Sequence, residues 1–213
     1  MKKKLCIVVP YRDRKLHLEE FIPRMETVLK EQSIDYHILV VEQEDGKPFN
    51  RAKLLNVGFD YNRDYDYYCF HDVDMLPEES DYGYCEQPTH MASRAEQFGW
   101  KLPYLQYFGG VTIFNKESFI TVNGYSNEYW GWGAEDDDMY RRVAMKGLTP
   151  CRKDGKYRSL YHTRHIPEFE YNKNVNYLHS SASFIDTDGL NSLSYTVISD
   201  EKNSNYTKIT VSI

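Results

Sequence analysis

Apolar residues fall in short runs of changing period along this chain. Leu5 to Val9 is an unbroken apolar, β-branched burst closed by Pro10, which predicts a buried strand. From Leu18 the spacing changes. Leu18, Phe21, Ile22, Met25, Val28 and Leu29 recur at three and four, predicting an amphipathic helix in which Pro23 marks either a bend or a later start. Ile38 to Val41 predicts a second buried strand and residues 51–60 a second helix. Tyr67 to Phe70 predicts a third strand that runs straight into Asp72-Val73-Asp74. Strands alternating with helices predict an α/β fold around a largely parallel sheet. Beyond about residue 150 the pattern weakens; two late strands, near 194–198 and 207–212, are expected to finish the sheet or form a small second one. No repeat or low-complexity linker divides the 213 residues, so one domain with a real core is expected.

Charge and composition narrow the chemistry. A net charge of −6 leaves no broad electrostatic footprint for nucleic acid, so no nucleic-acid partner is expected. A phosphorylated ligand would need local positive charge, which a carboxylate-held divalent cation supplies. Aromatic residues reach 15%, with 19 Tyr, which fits either a Tyr-rich core or sugar binding, where ring faces pack on C–H bonds. No apolar stretch approaches the ~20 residues of a transmembrane helix. The Lys-rich start imitates a signal peptide for a few residues, but Pro10, Arg12, Asp13 and Arg14 stop its apolar run. Cys6, Cys69, Cys85 and Cys151 show no CxxC spacing, which argues against a zinc site.

In open α/β sheets the ligand site lies beyond the C-terminal strand ends. Pro10-Tyr11-Arg12, Glu42-Gln43 and Asp72-Val73-Asp74 all follow predicted strands, so three exits are expected to share one crevice. In an extended segment Asp72 and Asp74 would point the same way, a costly arrangement unless a cation pairs them or the segment is a solvated turn. His162 and His165, three apart, would face together on a helix or tight turn; they are either ordinary surface histidines or imidazole ligands suited to manganese. Trp130-Gly131-Trp132-Gly133 reads as a mobile aromatic loop covering a ligand. Glu135, Asp136, Asp137 and Asp138 follow it, opening a helix whose dipole favours them, and one could serve as a general base. Tyr104, Tyr107 and the pair Gly109-Gly110 suggest close approach of a ligand to backbone, or a bulge beside a Tyr-rich core.

These elements occur together and in this order in the β-1,4-galactosyltransferase family, which the sequence resembles from about residue 6 to its C-terminus. The resemblance is carried by Val9 to Arg14, Phe49 to Phe59, Asp72-Val73-Asp74, Leu102 to Val111, the Trp-Gly run with its acidic tail, and Asp188 to Leu193. It implies a single GT-A domain over residues 1–213, an α/β, Rossmann-like nucleotide-sugar-binding fold with a mixed central sheet. It also implies a metal-dependent, inverting transfer of galactose from UDP-galactose to a GlcNAc-, Glc- or Xyl-like acceptor, β-1,4 linked, with Mn2+ as cofactor. Pro10, Arg12, Arg14, Phe49 and Arg51 would line the uridine diphosphate site, with Asp72 against the nucleotide. Asp74, His162 and His165 would hold the metal, His162 standing where the lactose-type enzymes have Met. Asp136 matches the base, Glu135 and Asp137 sugar contacts, and Trp132 the tryptophan that closes over the donor. Tyr104, Tyr107 and Gly109 complete the substrate site. Tyr107 occupies the position that separates galactose from N-acetylgalactosamine.

Departures accompany the resemblance. Gln97 replaces a phosphate-contacting Lys, and Asn174 to Leu178 does not match the family's acceptor pocket. No counterpart of the family's membrane anchor and stem is expected. Cys69 and Cys85 stand where the family has a disulfide, and a cytoplasmic location would keep them reduced. Competing readings are transfer of N-acetylgalactosamine, a metal phosphoesterase, which would not need Trp-Gly-Trp-Gly, and a non-catalytic sugar-binding module, which would not need an intact base and metal set.

Overall fold

The computed structural model describes residues 2–163 and 168–213. In chain order it contains β1 (Lys4–Tyr11), α1 (Lys15–Glu31), β2 (Asp35–Gln43), α2 (Arg51–Tyr61), β3 (Tyr67–His71), β4 (Met75–Glu79), β5 (Thr89–His90) and β6 (Arg94–Ala95). There follow β7 (Val111–Asn115), α3 (Lys116–Thr121), α4 (Glu135–Met145), β8 (Cys151–Arg152), β9 (Lys156–Ser159), α5 (Glu168–Ser181), β10 (Thr196–Lys202) and β11 (Thr207–Ser212). Among the described residues no helix is long and apolar enough to cross a membrane.

The main sheet runs β10-β11-β2-β1-β3-β7-β5-β8. Its centre is parallel, since β1 pairs in parallel with both β2 and β3, and β11 joins β2 in parallel. The flanks are antiparallel: β7 runs against β3 and β5, and β10 against β11. The sheet is therefore mixed, not largely parallel as the strand–helix alternation suggested. Periodicity reads faces but not directions, and the reversed strands lie where crossover helices give way to loops. The two late strands do finish this sheet, as the hairpin β10–β11 on the β2 edge. A small second sheet does exist, but it is built from β4, β9 and β6.

Both faces of the sheet are covered, which is why its central strands read as continuous apolar runs rather than alternations. Leu5, Ile7 and Val9 pack under α1 on one face, while Cys6 and Val8 meet α2 residues on the other. Helix α1 buries the six predicted positions, from Leu18 to Leu29. It begins at Lys15, before the first periodic residue, and runs through Pro23, whose missing amide removes only one bond on an exposed turn. Helix α2 lies very close to the sheet. A Cβ at Gly58 would stand 2.2 Å from Val8 Cγ1 and 3.2 Å from Val41 Cγ2.

Gly58→Ala should therefore lift α2 from the sheet and destabilise the fold by about 1–3 kcal/mol, the range for overpacking a filled core. Urea unfolding followed by circular dichroism measures this. An unchanged midpoint would show that the contact relaxes without strain.

Candidate active site

Strands β2, β1 and β3 are neighbours, so their C-terminal ends open onto one edge, as the three exits predicted. The reversed strand β7 starts at Val111 opposite His71, which brings Gly109 and Gly110 to the same edge. The Asp72 amide donates to Gly110 O at 3.0 Å and ties the two segments together.

At the centre lies Arg51, the first residue of α2. Its helix is capped by Asn50, whose side chain accepts from the Lys53 amide at 2.8 Å. Asn50 is itself fixed from both sides, its amide donating to Gln43 Oε1 at 2.9 Å and its Nδ2 to Asn127 O at 2.8 Å. A cation at a helix N-terminus opposes the macrodipole. Carboxylates from two other elements offset this. Arg51 Nε donates to Asp72 Oδ1 at 2.6 Å and Nη1 to Asp136 Oδ1 at 2.9 Å, with Glu135 Oε1 3.8 Å away. Arg51 Nη2 is buried without a hydrogen-bond partner among the described residues. A guanidinium N–H left so is the mark of a site built for an external acceptor oxygen.

The acidic run divides its labour along the first turn of α4. Asp136 faces Arg51. Asp137 accepts from the Tyr104 hydroxyl at 2.8 Å. Asp138 turns inward to the fully buried Arg142, whose Nε donates to it at 2.7 Å. Burial pushes the Asp136 carboxyl up to about 8, against the opposing pull of Arg51. The same two effects act on Asp72, where burial also prevails and raises it. Gly109 makes the approach of Asp136 possible, because a Cβ there would lie 2.1 Å from Asp136 Oδ2 and 2.8 Å from the Tyr107 hydroxyl. Tyr107 thus stands beside the carboxylate, and burial raises its phenol well above the usual range.

At the Asp72–Asp74 segment the structure takes the turn, one of the two readings the sequence left open. It is a tight turn between β3 and β4, closed by the Met75 amide on Asp72 O at 3.2 Å, not an extended run. The two carboxylates consequently take different partners: Asp72 holds Arg51, and Asp74 Oδ2 sits 2.8 Å from His162 Nε2. Arg14 Nη2 lies 3.3 Å from His162 Nδ1. Asp74 and His162 are thus brought together, while His165 lies outside the described residues. Among the described residues no group of three His, Cys, Asp or Glu side chains is placed to hold a metal. Arg12 covers the Phe49 ring at 5.2 Å and donates to Lys47 O at 2.7 Å. Pro10 is buried in the ladder opposite Val41.

The Trp-Gly loop is only half as expected. Trp130 packs against the core, with Lys47 and Lys53 5.5 and 5.8 Å above its ring, so it anchors the loop. Trp132 is 45% exposed and leans on Tyr171 of α5 at 5.6 Å. The loop is fastened at both ends, by the Gly131 amide on Phe49 O at 2.8 Å and by Asn174 Nδ2 on Trp130 O and Trp132 O at 3.0 and 3.2 Å. Sequence reasoning missed Asn174, Asn50 and Asn127. Their only signal is polarity at buried positions, which a single sequence does not reveal. Gln97 lies beside Met75, its Nε2 3.8 Å from the sulfur.

Known proteins resemble the chain throughout. Residues 1–86 match the family model described as the N-terminal region of glycosyl transferase group 7, and residues 89–166 that described as the N-terminal domain of galactosyltransferase. The chain is 41% identical to β-1,4-galactosyltransferase 1 of Bos taurus, over 99% of its own length and 54% of that protein. It is 42% identical to β-1,4-galactosyltransferase 4 of Homo sapiens, over 98% of its length and 63% of that protein. The chain thus spans between half and two thirds of these relatives. Its fold superposes on a mutant of Drosophila β-1,4-galactosyltransferase 7 in complex with manganese, UDP-Gal and xylobiose with a TM-score of 0.82 at 29% identity, covering 99% of this chain and 94% of that one.

Gly109→Ala should displace Asp136 from Arg51 while leaving the sheet intact. The Asp136–Arg51 contact should be lost with little change in global stability. A crystal structure of the variant alongside urea unfolding checks both halves; an unmoved Asp136 would show that the Gly109 contact is incidental.

Proposed function

Since this chain belongs to the β-1,4-galactosyltransferase family, we propose that it transfers galactose from UDP-galactose to a carbohydrate hydroxyl, with inversion at the anomeric carbon and with manganese as cofactor. The observation that carries the reading is the Asp72–Arg51–Asp136 bridge. It places a raised carboxylate beside a guanidinium that retains an unused, buried donor.

Each part of the reaction has a residue. Arg12 and Phe49 form a cation–ring platform suited to the uridine end. Asp74 and His162 fit manganese, a carboxylate and an imidazole already converged at 2.8 Å, with His165 the third residue matched by the family. Bound there, the metal would neutralise charge on the departing diphosphate. Arg14, next to His162, and the free donor of Arg51 add positive charge at the same edge. Asp136, held by Arg51 and cleared by Gly109, takes the proton of the acceptor hydroxyl as that oxygen attacks. A single displacement from the face opposite the leaving group inverts the centre. Trp132, the exposed ring of an otherwise fastened loop, would cover the donor and limit water. The reading includes a cytoplasmic, reducing setting, supported by four free thiols at Cys6, Cys69, Cys85 and Cys151.

Asp136→Asn should lower transfer by ~10²-fold or more with manganese-dependent UDP binding retained, and excess chelator should abolish transfer in the wild type. A base must be ionised, and the free Asp136 carboxyl sits at about 8, so kcat/KM should climb through neutral pH and level off above that value. The stability sign is opposite. A carboxyl raised on folding penalises the ionised state, so its contribution to the fold declines as pH rises from ~4, the unfolded value, to about 8. The Asn variant should therefore hold its stability better than wild type at high pH. Radiolabelled galactose transfer across pH, beside thermal melts, measures both, and transfer undiminished in Asp136→Asn would overturn the assignment.

The donor is set by volume. The Tyr107 ring is packed between His90, Phe98 and Tyr104 with centroids at 5.3, 5.4 and 5.6 Å, and its hydroxyl reaches toward Gly109 and Asp136. A ring so fixed leaves no room for an acetamido group at C2. Tyr107→Leu should raise N-acetylgalactosamine transfer at least ~10-fold while largely keeping galactose transfer. Assaying both donors on both proteins decides it: a parallel fall of the two activities would make Tyr107 a core ring only.

A further inference from the structure

The segment that carries Tyr107 has no strand ladder of its own. Residues 102–110 form turns and irregular backbone between a single bridge at Lys101 and the start of β7. Such a segment is ordinarily mobile unless other groups satisfy its backbone. Here two side chains do so. Arg152 Nη2 donates to Leu105 O at 2.9 Å and to Tyr107 O at 3.0 Å. His90 Nε2 lies 2.9 Å from Gly109 O. The carbonyls of three alternate residues are therefore gathered by one arginine and one histidine.

The pair is itself fixed by the sheet. Strands β5 and β8 are parallel neighbours with His90 in register opposite Arg152. Arg152 Nη1 donates to His90 Nδ1. A guanidinium has no acceptor, so Nδ1 must be the bare nitrogen and Nε2 must carry the proton. That tautomer is the one able to donate to Gly109 O. Burial, with the Arg152 charge beside it, keeps the imidazole neutral, down at about 3. The same imidazole meets the Tyr107 ring edge-on at 5.3 Å. His90 is fully buried and cannot reach a sugar, so any effect on the reaction passes through the loop.

We propose that His90 and Arg152 are positioning residues that clamp the 104–110 loop and thereby set discrimination at C2 of the donor sugar. The inference rests on the galactosyl-transfer reading and deepens it: Tyr107 supplies the wall, and the clamp fixes where the wall stands. Without the clamp the Tyr107 ring can retreat from the donor and the wall softens. Arg51 opens α2, Asp72 and Asp74 follow β3, and His162 follows β9, so these residues lie on other elements than β5 and β8, which carry the clamp.

The test uses Arg152→Met, with Arg152→Lys as the conservative variant, assayed with UDP-galactose and UDP-N-acetylgalactosamine. The ratio of their kcat/KM values should fall by about 10-fold or more in Arg152→Met and recover in part in Arg152→Lys. Calorimetric affinity for UDP with manganese should be unchanged. In a Tyr107→Leu background Arg152→Met should leave the ratio unaltered, because the wall it positions is gone. A parallel fall for both donors, or an equal change of ratio in the Tyr107→Leu background, overturns the clamp. Should the wild type transfer neither sugar, the functional reading fails separately, and hydrogen exchange then tests the clamp. Faster exchange confined to residues 104–110 in Arg152→Met upholds it, and unchanged or globally faster exchange overturns it.

Discussion

A guanidinium buried at the first position of a helix is held in place here by carboxylates arriving from two other elements. Arg51 is 12% exposed and meets Asp72 from the exit of β3 and Asp136 from the start of α4. Each partner alone would be a poorly solvated charge. Removing one member of such a group leaves an uncompensated ion, at a typical cost of about 3–5 kcal/mol. The bridge therefore fixes three element ends against one another, and the remaining features of the site follow from that. Gly109 must lack a side chain because Asp136 reaches across it, and Asn50 must cap α2 because Arg51 has to start it.

Behind the bridge stands a second buried charge group. Arg142, one turn past Asp138, binds Asp138 Oδ2 and the Asp188 carbonyl, while Asp188 also accepts from the Tyr177 hydroxyl at 3.0 Å. This joins α4 to the chain after α5, so the Asp136 carboxylate rides on a helix anchored from its interior face. Placement on a rigid element suits the base proposed at Asp136, whose reach must be accurate to a fraction of an ångström. The Trp-Gly loop follows the same economy of parts. Trp130 and Asn174 hold the frame, and Trp132 is the more exposed ring.

How much of this was legible depended on whether the cause was local. The strands from Leu5 and Ile38 and the helix from Leu18 were readable because burial on a pleat or a helical stripe stamps its period directly on the sequence. The shared edge of three strand exits followed from the βαβ rule without coordinates. Motifs then named Arg51, Asp74, Asp136 and Tyr107, since unusual residue types at fixed spacing survive as local words. The turn at Asp72–Asp74 stayed one of two open readings because an Asp-Val-Asp triplet is compatible with either an extended or a turned backbone.

By itself the sequence determined an α/β fold, its central strands, its acidic helix start and the residue types that gather at the strand exits. Those depend on period, charge and side-chain type, which are properties of neighbours along the chain. Only the tertiary structure decided the direction of β7, the divergence of Asp72 from Asp74, the division of the four acids among Arg51, Tyr104 and Arg142, and the seat of Trp130. Each of these is a pairing between groups far apart in sequence, and a pairing is selected by which buried charge or orphaned carbonyl has no other partner in the folded molecule.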